Sequence, residues 1–278
     1  MPIDSGTTDL PVGVFLLLRD LIGDRLGIWF EDDKRDLFAH KLADRVRAAG
    51  AASYLTYYYQ LKYGPAPNPE WDDLTDALSV QETYFWREAQ QFRVLTDVLV
   101  PAHVAAGRGP VRVWSAACAT GEEPLSIAIA LREAGWFDRA DVQVWASDAS
   151  PAALDRARRG VYRARSFRSL PPHLKDKYFT PVEGGWMVDP AVQAGVRYVQ
   201  ANLLNPAETV LLAAAPFVFC RNVFIYFSTA TIARVVGQFA QRMPRPGYLF
   251  VGVSESLLRA STAFELDEIG GAFVYVKR

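Results

Sequence analysis

Cysteine and histidine are scarce in this 278-residue chain: Cys118 and Cys220 are the only cysteines, and His40, His103 and His173 the only histidines. Two cysteines exclude a disulfide framework and a cysteine-only zinc site. The three histidines are scattered with no metal-ligand spacing, so no metal is expected. An excess of charge is also missing. The formal net charge is −1, which excludes a global attraction to nucleic acid or to an anionic membrane and leaves electrostatic docking to a local patch. No apolar run reaches the ~18 residues of a membrane span, and the N-terminus lacks a charged-then-apolar signal pattern. The chain is therefore expected to be cytoplasmic, with no nucleic-acid partner and no membrane insertion. What remains is ordinary: 50% hydrophobic and 22% charged residues, enough for one large domain or two modest ones.

The first ten residues are polar and expected to be frayed. From residue 12 to about residue 100 the apolar spacing is helical, as in LLLRDLIGDRLGI, KRDLFAHKLADRVRAAG and SYLTYYYQLKY, with a proline-containing break at GPAPNPE. From residue 111 strands and helices alternate. Strands are expected at 111–115, 142–147, 196–200, 216–221, 247–253 and 272–277, and helices at 122–134, 151–159, 206–213 and 229–242. That alternation argues a mainly parallel sheet covered on both faces. The last two strands lie close in sequence and suggest an antiparallel edge. The segment 171–200, with its prolines and its Gly184-Gly185 turn, reads as a small β insertion.

The most informative stretch is 111–130, VRVWSAACATGEEPLSIAIA. A short apolar run breaks into small residues, a glycine and two carboxylates, then becomes a helix. Small residues at the carboxyl end of a strand let a ligand lie against the backbone. The next strand-like run, VQVWASD, ends in Asp148, 27 residues after Gly121. That interval resembles, slightly stretched, the glycine-turn-to-acid interval of a nucleoside site, where the acid grips ribose hydroxyls. Two acid-tipped loops suggest a nucleoside ligand carrying positive charge. An alternative stays open: Thr120-Gly121-Glu122-Glu123 also fits a capping box, in which Glu123 only satisfies an amide at a helix start.

Four segments in order, ETYFWREAQQF (82–92), WSAACATGEEPLSIA (114–128), ASDASPAALDRARRGVY (146–162) and FCRNVFIYF (219–227), resemble the CheR-type protein-glutamate methyltransferases of bacterial chemotaxis. The late GYLFVGVSESL and the helical leader RDLIGDRLGIWFEDDKRDLFAHKLADRVRAAG are similar too, so the likeness covers nearly the whole chain. The resemblance implies an all-helical N-terminal domain (1–95), then a class I, Rossmann-like methyltransferase domain (96–278) with a small β-subdomain insertion at about 171–200. It implies S-adenosylmethionine as cofactor and S-adenosylhomocysteine as product. Thr83 and Arg87 then reach onto cofactor and acceptor, Glu123 binds the methionyl amine, Asp148 the ribose, and Asn202 and Leu203 flank the adenine. Arg221 and Asn222 complete the cofactor site, and Tyr226 lies near the transferred methyl. Arg87 and Tyr226 are the residues expected to steer the acceptor carboxylate. Tyr84, Phe85 and Trp86 could wall the pocket or simply be core.

Gln81 stands where relatives usually carry Asn; its longer amide could keep the same hydrogen bonds or displace the cofactor slightly. Leu125 and Trp86 replace a usual Tyr and Phe. The implied activity is methyl transfer to chemoreceptor glutamates by a monomer. The alternatives are a relative acting on another protein or small carboxylate, or a non-catalytic module that binds S-adenosylmethionine. Lys34, Arg35, Lys41, Arg45 and Arg47 could form a basic face for the acidic receptor, or a solvated face paired locally to Asp33, Asp36 and Asp44. The short Glu183-Gly184-Gly185 turn is similar to that of members that work without a receptor tether peptide.

Overall fold

The computed structural model describes residues 10–278. The expected fraying falls on residues 1–9, outside them, except at Leu10, which is buried against the first helix bundle.

Helices α1 (Val12–Leu26), α2 (Arg35–Ala48), α3 (Tyr54–Tyr63) and α4 (Glu70–Leu78) enclose a core of their own, with Phe15, Leu18, Phe38, Leu42, Tyr57 and Leu74 at its centre. Local chemistry sets their ends. Ser53 caps α3 by accepting the Thr56 N–H at 3.1 Å. The first turn of α4 carries Glu70, Asp72 and Asp73, which suit the positive end of the helix dipole.

Helix α5 (Ala89–Val94) continues through a π turn (Leu95–Leu99) into α6 (Val100–Ala105). Its periodicity groups it with the helical domain in sequence. In space Phe85, Phe92, Leu95 and Leu99 instead join the core beneath the sheet, because their apolar stripe has only the sheet to cover it. The core enclosed by α1 to α4 ends at Leu78.

The sheet begins with β1 (Val111–Ala116), followed by α7 (Glu122–Glu133), α8 (Trp136–Arg139), β2 (Val142–Asp148) and α9 (Pro151–Arg159). Then come β3 (Val161–Tyr162), α10 (Pro172–Tyr178), β4 (Phe179–Val182), β5 (Gly185–Val188), α11 (Pro190–Ala194), β6 (Val196–Gln200) and α12 (Pro206–Thr209). The chain closes with β7 (Phe217–Phe219), α13 (Thr229–Arg242), β8 (Gly247–Phe250), β9 (Glu265–Ile269) and β10 (Ala272–Lys277). Seven strands form one sheet in the order β6-β2-β1-β7-β8-β10-β9. All its pairs are parallel except those of β10 with β8 and with β9. Helices cover both faces over two apolar layers. From β1 the chain winds first toward β2 and β6, then returns to β7 on the other side. That reversal opens a crevice at the carboxyl ends of β1, β2 and β7.

Four sequence expectations are corrected. The helix expected at 206–213 is one turn, α12, capped by Asn205, and then a 3-10 turn at Leu212–Ala214. The strands expected at 216–221 and 247–253 stop at Phe219 and Phe250; after Phe219 the chain leaves the sheet to build the crevice with Arg221 and Asn222. Strand β9 escaped notice because ELDEI is charged; as an edge strand its outer side needs no apolar partner. The small insertion is a separate sheet of order β3-β5-β4, starting at Val161, whereas 196–200 pairs with β2 in the large sheet.

Candidate active site

The crevice is a cleft of about 1130 Å³, counting the part open to solvent. It is floored by the loop after β1, where Ala117 (φ 58°) and Ala119 (φ 48°) sit in the left-handed region. Such conformations cost of order 1–3 kcal/mol and mark functional turns. The reason lies in Asp148 at the tip of β2. Its Oδ2 accepts the Ala119 N–H and its Oδ1 the Ser150 N–H, each at 2.9 Å. One carboxylate thus ties the loops after β1 and β2 together. Gly121, at φ 96°, closes the turn into α7, and a Cβ there would lie 2.8 Å from that of Ala157. Only glycine fits.

Glu123, in the first turn of α7, points back over β1. Its Oε1 accepts the Ser115 hydroxyl at 2.7 Å, and Oε2 lies 3.4 Å from the Arg221 guanidinium. The capping-box alternative is therefore excluded: the helix start is Gly121, which has no side-chain cap, and Glu123 is spent elsewhere. Burial pushes the carboxyls of both Glu123 and Asp148 up, against Arg221 and Ser115 for the first and backbone N–H groups for the second. A site that raises two carboxylates by desolvation is short of positive charge.

Arg221 follows β7 and its side chain is 1% exposed. It lies between Glu123 and Glu88, 3.4 Å from each, and donates to the Arg87 carbonyl at 2.6 Å. Arg221 Nε and Glu88 Oε2 are buried without hydrogen-bond partners. From the opposite wall come Gln81, Thr83, Tyr84 and Arg87. Gln81 donates to Ser150 Oγ at 3.1 Å and accepts from Arg156, so the longer amide is used to bridge α9. The Arg87 guanidinium lies 5.3 Å from the Tyr84 ring centroid. Burial raises the Tyr226 phenol, and the nearby Arg87 charge opposes that. Of the three aromatics in question, Tyr84 lines the cleft, Phe85 is core against Tyr162, Phe167 and Phe179, and Trp86 packs on Phe92.

Asn202, Leu203, Asn222 and Tyr226 also line the cleft. The Asn202 carboxamide donates to the Arg25 carbonyl at 2.7 Å and accepts the Leu204 N–H at 2.9 Å, so its side chain mainly moors the end of α1. Gly27, at φ 82°, makes that mooring possible: a Cβ there would meet the Phe227 ring at 2.8 Å. Backbone pairing of Trp29 with Tyr226 (2.9 Å) completes the seam. The helical domain is thus the lid of the cleft, contributing Leu26, Ile28 and Leu78.

Sequence reasoning missed three anchors. Glu255 accepts the N–H groups of Asn222, Phe224 and Gly252 at 2.7 Å, and of Ile225 at 3.3 Å. It shapes the loop that carries Tyr226; its signal was its place in SESL, to which no chemistry had been attached. Asp76 on α4 accepts the Ser150 hydroxyl, and Glu88 pairs Arg221. Nothing in their local sequence distinguishes these two from surface acids.

The proposed basic face fares differently. Lys34 pairs Asp33 at 2.8 Å, Arg35 lies 3.7 Å from Asp36, and Arg47 pairs Asp44. Lys41 is half-buried. Arg45 is turned inward, where it grips Glu70 and lies 2.8 Å from Asp73, bracing α2 to α4. Arg45 thus has a bracing role within the helical domain.

Strand order lays these groups out in a line: Leu203 after β6, Asp148 at β2, Glu123 over β1, and Arg221 to Tyr226 after β7. That suits an elongated cation with an apolar end, a sugar diol and an ammonium. Glu123 could take the ammonium through charge-assisted hydrogen bonds, and Asp148 the diol. The orphaned Arg221 Nε marks the β7 end as built for a polar group. Among the described residues there is no cluster of potential metal ligands.

Comparison with known proteins agrees with this chemistry. Residues 81–270 match the family described as CheR methyltransferase, SAM binding domain, and residues 14–79 the CheR methyltransferase, all-alpha domain. The chain is 33% identical over 267 residues to chemotaxis protein methyltransferase 2 of Vibrio cholerae, covering 95% of this chain and 92% of that one. It is 35% identical over 258 residues to the chemotaxis protein methyltransferase of Salmonella typhimurium, covering 91% and 86%. A probable biofilm formation methyltransferase, WspC of Pseudomonas putida, is 32% identical over 91% of this chain and 59% of its own length.

Proposed function

This chain belongs to the CheR methyltransferase family, and on that premise we propose that it methylates glutamate carboxylates on the cytoplasmic helices of chemoreceptors, giving glutamate methyl esters. The observation that carries the reading is the pair of buried carboxylates, Glu123 and Asp148, facing Arg87 and Tyr226 across one cleft.

S-adenosylmethionine, the family's cofactor, supplies an activated methyl group on a positively charged sulfur. Glu123 would hold its ammonium and Asp148 its ribose hydroxyls, and each buried anion would gain the countercharge or hydrogen bonds that desolvation denies it. Arg87 and Tyr226 would orient the acceptor. A glutamate side chain, with an ordinary pKa near ~4.3, is already an anion at neutral pH, so no general base is required. The Tyr226 phenol is protonated at neutral pH, and burial only raises it further, so it is a hydrogen-bond donor. What this chain contributes is positioning and the exclusion of water by the end of α1.

The β4–β5 turn, Glu183-Gly184, is short, and on that ground we infer that transfer does not need a receptor tether. The test is transfer of labelled methyl from S-adenosylmethionine to receptor cytoplasmic fragments with and without their C-terminal tether. Base-labile label on glutamates, equal for both fragments, is the expected result. Tight cofactor binding with no transfer would move the acceptor to another protein or a small carboxylate.

A further inference from the structure

Six arginines, Arg156, Arg158, Arg159, Arg163, Arg165 and Arg168, crowd the end of α9, strand β3 and the turn after it, and all six are exposed. No carboxylate occurs between Asp155 and Asp176. In a chain of net charge −1 this is a local segregation of charge. The ridge is continuous with the cleft. Arg156 donates to Gln81, and Arg165 and Arg168 each lie 2.8 Å from opposite oxygens of Glu82. The Arg168 guanidinium stacks 3.6 Å from the Tyr84 ring centroid. Gln81, Glu82 and Tyr84 all line the cleft.

The comparison with α2 is decisive. There Lys34, Arg35 and Arg47 are each matched by a neighbouring acid, Asp33, Asp36 and Asp44, and Arg45 by Glu70 and Asp73 on α4. On the ridge only Asp155 and Glu82 offer compensation, and none of the ion pairs among the described residues involves Arg159 or Arg163.

We propose that this arginine ridge is the docking surface for an acidic protein segment that carries carboxylates beside the one to be methylated. The inference rests on the proposed function and names the surface that presents the acceptor. Arginine forks suit carboxylates, and Glu82 between Arg165 and Arg168 shows that match within the chain. A polyphosphate following the ridge would run onto Glu82, Glu123 and Asp148. Charges at such a rim act chiefly on encounter and salt dependence, and little on chemistry.

The experiment measures methyl transfer to an acidic receptor fragment by the unaltered protein, by Arg159→Glu/Arg163→Glu and by the milder Arg159→Ala/Arg163→Ala. S-adenosylmethionine affinity and circular dichroism serve as controls. The reversal is expected to raise KM for the fragment about tenfold, the alanine pair to raise it less, and both to flatten its salt dependence with kcat and cofactor affinity retained. Unaltered KM in both variants would overturn the ridge while leaving the proposed function standing. So would binding to RNA or phosphatidylserine vesicles that the variants lose while KM stays unchanged. No transfer by the unaltered protein, despite cofactor binding, would overturn the proposed function and the ridge with it.

Discussion

Glu255 holds Asn222 in the left-handed conformation: its Oε2 accepts the Asn222 N–H at 2.7 Å, where φ is 59°. The same carboxylate takes the N–H groups of Gly252, Phe224 and Ile225, so the loop from Arg221 to Tyr226 is wound around one anion. A strained residue persists only where its surroundings over-determine it.

Glu255→Gln should therefore act on the reaction. An amide offers one acceptor oxygen and turns an NH2 toward backbone donors, losing about 2 kcal/mol of charge-assisted bonding. The expected result is a fall in kcat of about tenfold or more, with S-adenosylmethionine affinity much less affected. Steady-state kinetics beside calorimetry would separate the two, and a parental kcat would remove Glu255 from the catalytic geometry.

The raised carboxyl of Glu123 makes both stability and cofactor binding depend on pH. Burial favours the protonated form, so the group titrates above its ordinary 4.5. In the unliganded protein the cost of ionised Glu123 is present above that raised pKa and vanishes as pH falls below the unfolded value. Cofactor binding runs the other way, because the ammonium needs the anion. Affinity should decline on acidification, and the decline should begin at a higher pH than an ordinary carboxylate would give. Glu123→Gln should weaken binding roughly tenfold or more and flatten that profile. A pH-independent affinity in the parent protein would argue against the assignment.

Arg87→Ala is expected to reduce transfer to receptor fragments by roughly 10- to 100-fold, the scale of losing one charged hydrogen bond to the acceptor. Cofactor affinity should change less, because the Arg221 bond to this residue is made to its backbone carbonyl and survives the substitution. Equal losses in binding and transfer would make Arg87 a cofactor residue alone.

Arg45→Ala should lower thermal stability. The guanidinium forks onto Glu70, which also accepts the Tyr57 hydroxyl at 2.6 Å, and removal strands a half-buried carboxylate. A loss of about 2 kcal/mol is expected, with Arg45→Lys restoring only part because ammonium lacks the fork. Unfolding midpoints measure this directly. An unchanged midpoint with impaired receptor methylation would return Arg45 to a docking surface.

The fold was legible where periodicity and composition agree. The small-residue break after β1 and the acid ending β2 were plain in VRVWSAACATGEE and VQVWASD, because a ligand at strand ends needs room and countercharge within a few residues of the turn. The charged edge strand β9 was hidden, since the alternation that reveals a strand comes from a buried face and its side chains are mostly solvent-facing. Asp76, Glu88 and Glu255 were hidden as anchors because their partners lie 74, 133 and 31–33 residues away in the chain. No spacing rule reaches that far.

By itself, then, the sequence determined the alternation of strands and helices, the glycine at position 121 and the acids at 123 and 148. These are local matters of period, backbone conformation and charge. Tertiary structure decided which charges are free. It folded Arg45 inward onto Glu70, wrapped the 221–226 loop around Glu255, and left Arg159 and Arg163 exposed, with no carboxylate partner among the described residues. Whether an ionic group braces, positions or docks depends on what the fold brings within about 4 Å of it.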